Sequence, residues 1–204
     1  MGIWSADEIR SFLAHVSDDR LSALWTLAAM TGMRRGELLG VTWADIDLDA
    51  ARVAVVRSLL SVDYHLHASD TKSGKARVID IDPLTVTALR SHRARQNEER
   101  LAIGAAYQDE NLVFAREDGL PLHPEQVTRW FRRHVAAAGL PQIRLHDLRH
   151  THASLLVQAG VHPKIVQERL GHYSSAFTMD TYAHALPALQ AEAAQRLSDL
   201  VHRA

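Results

Sequence analysis

From Leu21 to Gly32 the chain reads LSALWTLAAMTG, apolar almost all the way round a helix. A helix without a polar face has to be buried, so this stretch predicts a core helix. It runs through Thr31-Gly32 into a second helical segment, MRRGELLGV, which leaves Arg34 at a core edge. Upstream, Ser5-Ala-Asp-Glu8 is a Ser-x-x-Glu capping box, and Ile9, Phe12, Leu13 and Val16 recur at helical spacing. That pattern predicts a helix starting near Ala6 and ending near Ser17.

Beyond residue 45 the period changes. Asp45 to Ala50 is turn-like, Arg52 to Leu60 is rich in valine, Tyr64 to His67 is short, and Ala76 to Ile81 alternates before Pro83. These segments predict three strands of a small antiparallel sheet. The connection Ser69-Asp-Thr-Lys-Ser-Gly-Lys75 is polar and presents Lys72 and Lys75 at a tip. After Pro83, Leu84, Val86, Leu89 and Leu101 mark a helix flanked by arginines and fading at Gly104. Asn111 to Ala115 reads as extended, Asp118-Gly119 as a turn, and His123-Pro124 as the start of a helix to Gly139. Helices over Arg144–Ala159, Pro163–Leu170, Ala176–Tyr182 and Pro187–Val201 complete the chain. The expected fold class is therefore mixed, mainly α with a small three-stranded antiparallel β-sheet, in one domain over 1–204 with a tail helix over 187–204.

Composition narrows the classes further. The chain has 204 residues, 47% apolar and 23% charged, which is globular rather than disordered. Its apolar runs fall short of the roughly 20 residues that cross a bilayer. Without cysteine it has no disulfide framework, thiolate metal site or thiol nucleophile, and a reducing cytoplasm is the expected compartment. A net charge of -1 does not announce a nucleic-acid partner, although 23 Lys and Arg residues can still cluster on one face.

The densest chemistry lies in His146-Asp-Leu-Arg149-His150-Thr-His152, where residues three and four apart share a helix face. His146 and His150 have the spacing of a zinc pair, but no Glu follows the first histidine and Arg149 between them repels a cation. A purely structural role, capping and lining a helix, also fits. The third reading joins His146 and Arg149 as donors converging on one anion. Thr31-Gly-Met-Arg34-Arg-Gly-Glu37 adds an arginine past a glycine break, with Glu37 one turn on to orient it. Leu170-Gly171-His172 places a histidine after a helix end, and Tyr182 follows ten residues later.

In this order, Arg34, Lys72, His146, Arg149, His172 and Tyr182 resemble the catalytic set of the tyrosine recombinases, the phage integrase family. The likeness runs over nearly the whole chain. Arg34 in TGMRRGE matches the family's first arginine, and Lys72 in TKSGKAR its hairpin lysine, with Lys75 as the fallback. His146 and Arg149 in LHDLRHTHAS match the His-x-x-Arg box, His172 in LGH the His/Trp position, and Tyr182 in DTYAH the nucleophile. Glu37 and His150 fall where supporting residues stand.

The resemblance implies the catalytic-domain fold of that family and DNA cleavage and rejoining through a 3′-phosphotyrosyl link, without metal, ATP or other cofactor. A free tyrosine, with a pKa of about 10, is phenolate in roughly one molecule per thousand at pH 7, so the site must lower that barrier. In the implied roles Arg34 and Arg149 grip the non-bridging oxygens, and His172 adds a hydrogen bond. His146 accepts the tyrosine proton, and Lys72 protonates the leaving 5′-hydroxyl.

Double-stranded DNA is the implied partner, with a homotetramer on DNA for a full-length recombinase and a monomer for this chain. Since the family carries an N-terminal DNA-clamping domain, the chain is expected to be the catalytic domain of a longer protein. Arg129, Arg132, Arg133 and Arg144 are candidate backbone contacts, against a reading as ordinary surface arginines. The leading expectation is an integrase of a phage or integrative element. The alternatives are a chromosome- or plasmid-resolving, Xer-like recombinase and a catalytically silent DNA-binding module on the same fold.

Overall fold

The computed structural model describes residues 2–62, 65–70, 76–171, 194–195 and 197–202, by backbone alone at 60–62 and 65–70. Lys72, Lys75, His172, Tyr182 and the expected helix over Ala176–Tyr182 lie outside the described residues. Of the expected tail helix, 194–195 and 197–202 are described and helical.

Helix α1 (Ala6–His15) begins where the capping box puts it: the Ser5 side chain accepts from the Glu8 amide and Glu8 accepts from the Ser5 amide. Helix α2 (Ser22–Thr31) is the all-apolar stretch, buried on nearly every side and packed against α1, α3, α4 and α6. The glycine break and the second helical segment are both present. Gly32 ends α2 in the left-handed region at φ 64°, Arg34 is extended, and α3 is confined to Arg35–Gly40. The break is held because Glu37 accepts from the Arg34 amide at 2.8 Å, giving α3 its own N-terminal cap.

The three-stranded antiparallel sheet is present, with a different membership from the one read along the sequence. It pairs β1 (Ile46–Asp47), β2 (Arg52–Val55) and β5 (Arg77–Asp80) in the order β1-β2-β5. The two-residue strand β1 lies inside the segment read as a turn. The valine-rich run is interrupted at Val56, and its second half, β3 (Arg57–Val62), forms a separate hairpin with β4 (His65–Asp70). Val53 faces Ile79 in the register of the larger sheet and both are buried, so that sheet closes one side of the core.

The hairpin is seated close against α3, with the Ser58 side chain and the Leu59 backbone over its glycines. A Cβ on Gly36 would stand 2.8 Å from the Leu59 carbonyl oxygen, and one on Gly40 would stand 3.0 Å from the Leu59 nitrogen. Only residues lacking Cβ allow this approach. Helix α4 (Pro83–Ile103), α5 (Pro124–Ala137, capped by His123), α6 (Asp147–Gln158) and α7 (Pro163–Leu170) follow. Trp4, Phe12, Trp25 and Phe131 form one aromatic cluster with ring centroids 5.2–6.5 Å apart. The Trp4 amide donates to Thr151 Oγ1 at 3.1 Å, which ties the N-terminal segment to α6. No described helix is long and apolar enough to cross a membrane.

Candidate active site

The last turn of α7 leaves carbonyls without intrahelical partners, and this end carries the negative pole of the helix. Here three consecutive carbonyls are each held by a different guanidinium. Arg77 Nε donates to the Arg169 carbonyl at 2.9 Å, Arg149 Nη2 to that of Leu170 at 2.6 Å, and Arg34 Nη2 to that of Gly171 at 3.1 Å. Arg34 comes from the start of α3, Arg149 from α6 and Arg77 from β5, so three separate elements meet at the end of α7.

Glu37 organises the cluster. Its carboxylate is buried and accepts from Arg34 Nη1 at 2.8 Å and from both terminal nitrogens of Arg77 at 3.0 and 2.7 Å. Burial would raise the Glu37 pKa, but hydrogen bonding and charge from Arg77, then Arg34, bring it below the ordinary value. Arg149 is 3% exposed and also donates to the Gly32 carbonyl at 2.7 Å. Burial, and next the Arg34 charge, push its pKa down to about 9, so it remains a cation at pH 7.

Arg169 braces the same junction from α7. It donates to the carbonyls of Asp80 at 2.8 Å and Met30 at 3.1 Å, and through Nε to His152 Nε2 at 3.2 Å. A guanidinium can only donate, so His152 Nε2 accepts and its Nδ1 carries the proton, donating to the Ala29 carbonyl at 3.1 Å. Burial, then the Arg169 charge, lowers the His152 pKa to about 4 and keeps the ring neutral. His146 stands at the exposed start of α6, its ring edge-on to that of His150 at 5.1 Å. Both are pushed below the ordinary histidine value, first by loss of water around the ring.

The structure thus brings Arg34, Glu37 and Arg149 together and sets His146 and His150 at the head of the same helix. The three α5 arginines, Arg129, Arg132 and Arg133, are exposed. Arg144 is committed to Asp147: its amide, Nε and Nη2 donate to that carboxylate at 2.9, 3.1 and 2.9 Å. Arg77 and Arg169 were passed over in the sequence. For Arg77 a signal existed, because it shares strand parity with buried Ile79; Arg169 carries none. A cleft of about 710 Å³ lined by Trp25, Trp130 and His134 contains none of these residues.

The profile of the phage integrase family matches residues 4–188. The chain belongs to the phage integrase family. Among its family relatives, a protein named tyrosine recombinase XerC-like, from Caldanaerobacter subterraneus subsp. tengcongensis, is 31% identical over 97% of this chain and 54% of its own length. The ICEBs1 integrase of Bacillus subtilis is 30% identical over 98% of this chain and 55% of its own. The chain spans about half the length of these relatives. The Tn1549 transposon integrase in complex with transposon right end DNA shares the fold, with a TM-score of 0.82 at 24% identity over 97% of this chain and 66% of that one. The XerA recombinase gives 0.73 at 25% identity over 100% of this chain and 64% of that one. The fold is that of the family's catalytic domains.

Proposed function

We propose that this chain is the catalytic domain of a longer site-specific recombinase, and that it cleaves and rejoins double-stranded DNA through a 3′-phosphotyrosyl intermediate. The observation that carries the reading is the convergence of Arg34 and Arg149 on neighbouring carbonyls at the end of α7, immediately before His172. Two guanidiniums held this close repel each other, and an anion between them relieves that repulsion. A scissile phosphodiester is such an anion, and its pentacoordinate transition state, carrying more charge, is held more tightly still.

His146, kept neutral by its surroundings, is the base that accepts the Tyr182 proton. Lys72 protonates the departing 5′-hydroxyl, and His172 donates to the phosphate; these roles rest on family membership and motif position. Arg129, Arg132 and Arg133 serve as backbone contacts, whereas Arg144 has to leave Asp147 to do so. The family relative named ICEBs1 integrase supports an integrase of a mobile element, and the XerC-like relative supports the resolving alternative. The exposed Leu197, Leu200 and Val201 of the tail support assembly of several copies on DNA through this helix.

The test is incubation with a pool of nicked duplexes of random sequence in EDTA. A covalent protein–DNA adduct that disappears in Tyr182→Phe is the expected result. An adduct that survives that substitution, or none from the wild-type chain, removes the reading.

A further inference from the structure

Arg77 lies on strand β5, two residues after Lys75 in the sequence. Its side chain is 9% exposed and touches two things: the Glu37 carboxylate, through both terminal nitrogens, and the Arg169 carbonyl, through Nε. The exchange with α7 is reciprocal, since Arg169 in turn donates to the Asp80 carbonyl on the same strand. Gly171 closes the arrangement: a Cβ there would stand 2.9 Å from Arg77 Nη1, so the end of α7 is shaped around this guanidinium.

The charges explain why a second arginine is useful. Glu37 aims Arg34, but a buried carboxylate paired with one arginine also cancels that arginine's charge toward a ligand. With two guanidiniums sharing the one carboxylate, one positive charge is left over, while Arg34 keeps the hydrogen bond that orients it. We propose that Arg77 is a positioning residue for the phosphate-binding arginines: it neutralises Glu37 so that Arg34 is oriented without being discharged, and it locks the end of α7 to strand β5. This rests on the recombinase reading for its ligand and on the observed contacts for its geometry.

The experiment uses the 204-residue chain and two readouts. The first is the thermal unfolding midpoint as a function of sulfate, a tetrahedral dianion, each variant being compared with its own sulfate-free midpoint. In Arg77→Met the sulfate concentration giving half the shift should rise about tenfold, the scale of one charge acting over several ångströms in a partly buried site. Adding Glu37→Gln restores the surplus charge, and the double variant should return to within about threefold of wild type. Arg77→Lys, which keeps the charge but not the two-pronged grip, should fall between and decides the matter if Arg77→Met does not fold. A merely structural role lowers the sulfate-free midpoint and leaves the sulfate dependence unchanged.

An Arg77→Met response equal to wild type, a double variant as deficient as Arg77→Met, or a wild-type midpoint indifferent to sulfate overturns the assignment. The second readout is covalent adduct formation at saturating nicked DNA, where Arg77→Met should slow the step more than it weakens DNA binding. A wild-type chain that gives the sulfate pattern and no adduct removes the recombinase reading while upholding the role of Arg77.

Discussion

Two of the junctions that hold α2 in the molecule are built from opposite materials. On one side Trp4, Phe12, Trp25 and Phe131 interlock as rings, a contact with little directional demand and no dependence on pH. On the other, the carbonyls of Ala29, Met30 and Gly32 at the end of α2 are held by His152, Arg169 and Arg149. Every bond there has one acceptable geometry, and several carry charge out of water. The aromatic junction gives stability. The guanidinium junction spends some of it to keep cations close together, as the proposed phosphate site requires.

Breaking the polar junction at its centre should have the largest effect. Arg149→Ala is expected to slow adduct formation by about 10³-fold or more, as the loss of preorganised donors to a developing anion does. Burst measurements at saturating nicked DNA check this. On the aromatic side, Phe131→Ala should lower stability by about 3–5 kcal/mol in urea unfolding. The protein that remains folded should keep its wild-type sulfate response.

The junctions should also separate by pH. His152 has a folded pKa of about 4, below the ordinary value of 6.5, so the unfolded chain takes up a proton at that ring before the folded one does. Its contribution to stability is whole above pH 6.5 and is lost as pH falls toward 4, on the order of 3 kcal/mol. His146 and His150, also lowered, act in the same direction. Urea midpoints across this range should flatten in His152→Gln and keep their full slope in a conservative aromatic-junction variant such as Phe131→Leu.

Smaller effects sharpen the contrast. Gly171→Ala places a side chain at φ 67° and should cost about 1–2 kcal/mol. It should also weaken the sulfate response by displacing Arg77. At the bottom of the range, Arg90→Ala removes an ion pair to Asp49 in which both partners are largely exposed, and urea unfolding should register less than about 0.5 kcal/mol.

Features whose cause is local were legible in the sequence. The capping box gave the start of α1, and Pro163 with Gly171 bracketed α7 at the bounds it adopts. Features decided by distant partners were not. TGMRRGE showed the glycine break, but nothing in it says that Arg34 is extended or that Glu37 recaps the next helix. An unbroken valine run likewise carries no sign that its two halves pair with different strands, and a two-residue strand is too short to leave a pattern. Of the candidate site, family motifs pointed to Arg34, Glu37, His146 and Arg149. That the guanidiniums of Arg34 and Arg149 would meet at consecutive carbonyls at the end of α7, with Arg77 as the third, depends on tertiary contacts, those of Arg34 and Arg77 spanning more than ninety residues.

The seam at Gly36 and Gly40 brings the backbones of α3 and the hairpin into close approach, with the Ser58 side chain as the nearest group at Gly36. Side chains can absorb a push by changing rotamer, whereas peptide planes in contact pass it on. A side chain added at Gly36 or Gly40 has to push the hairpin away from α3, the helix whose Glu37 holds Arg34 and Arg77.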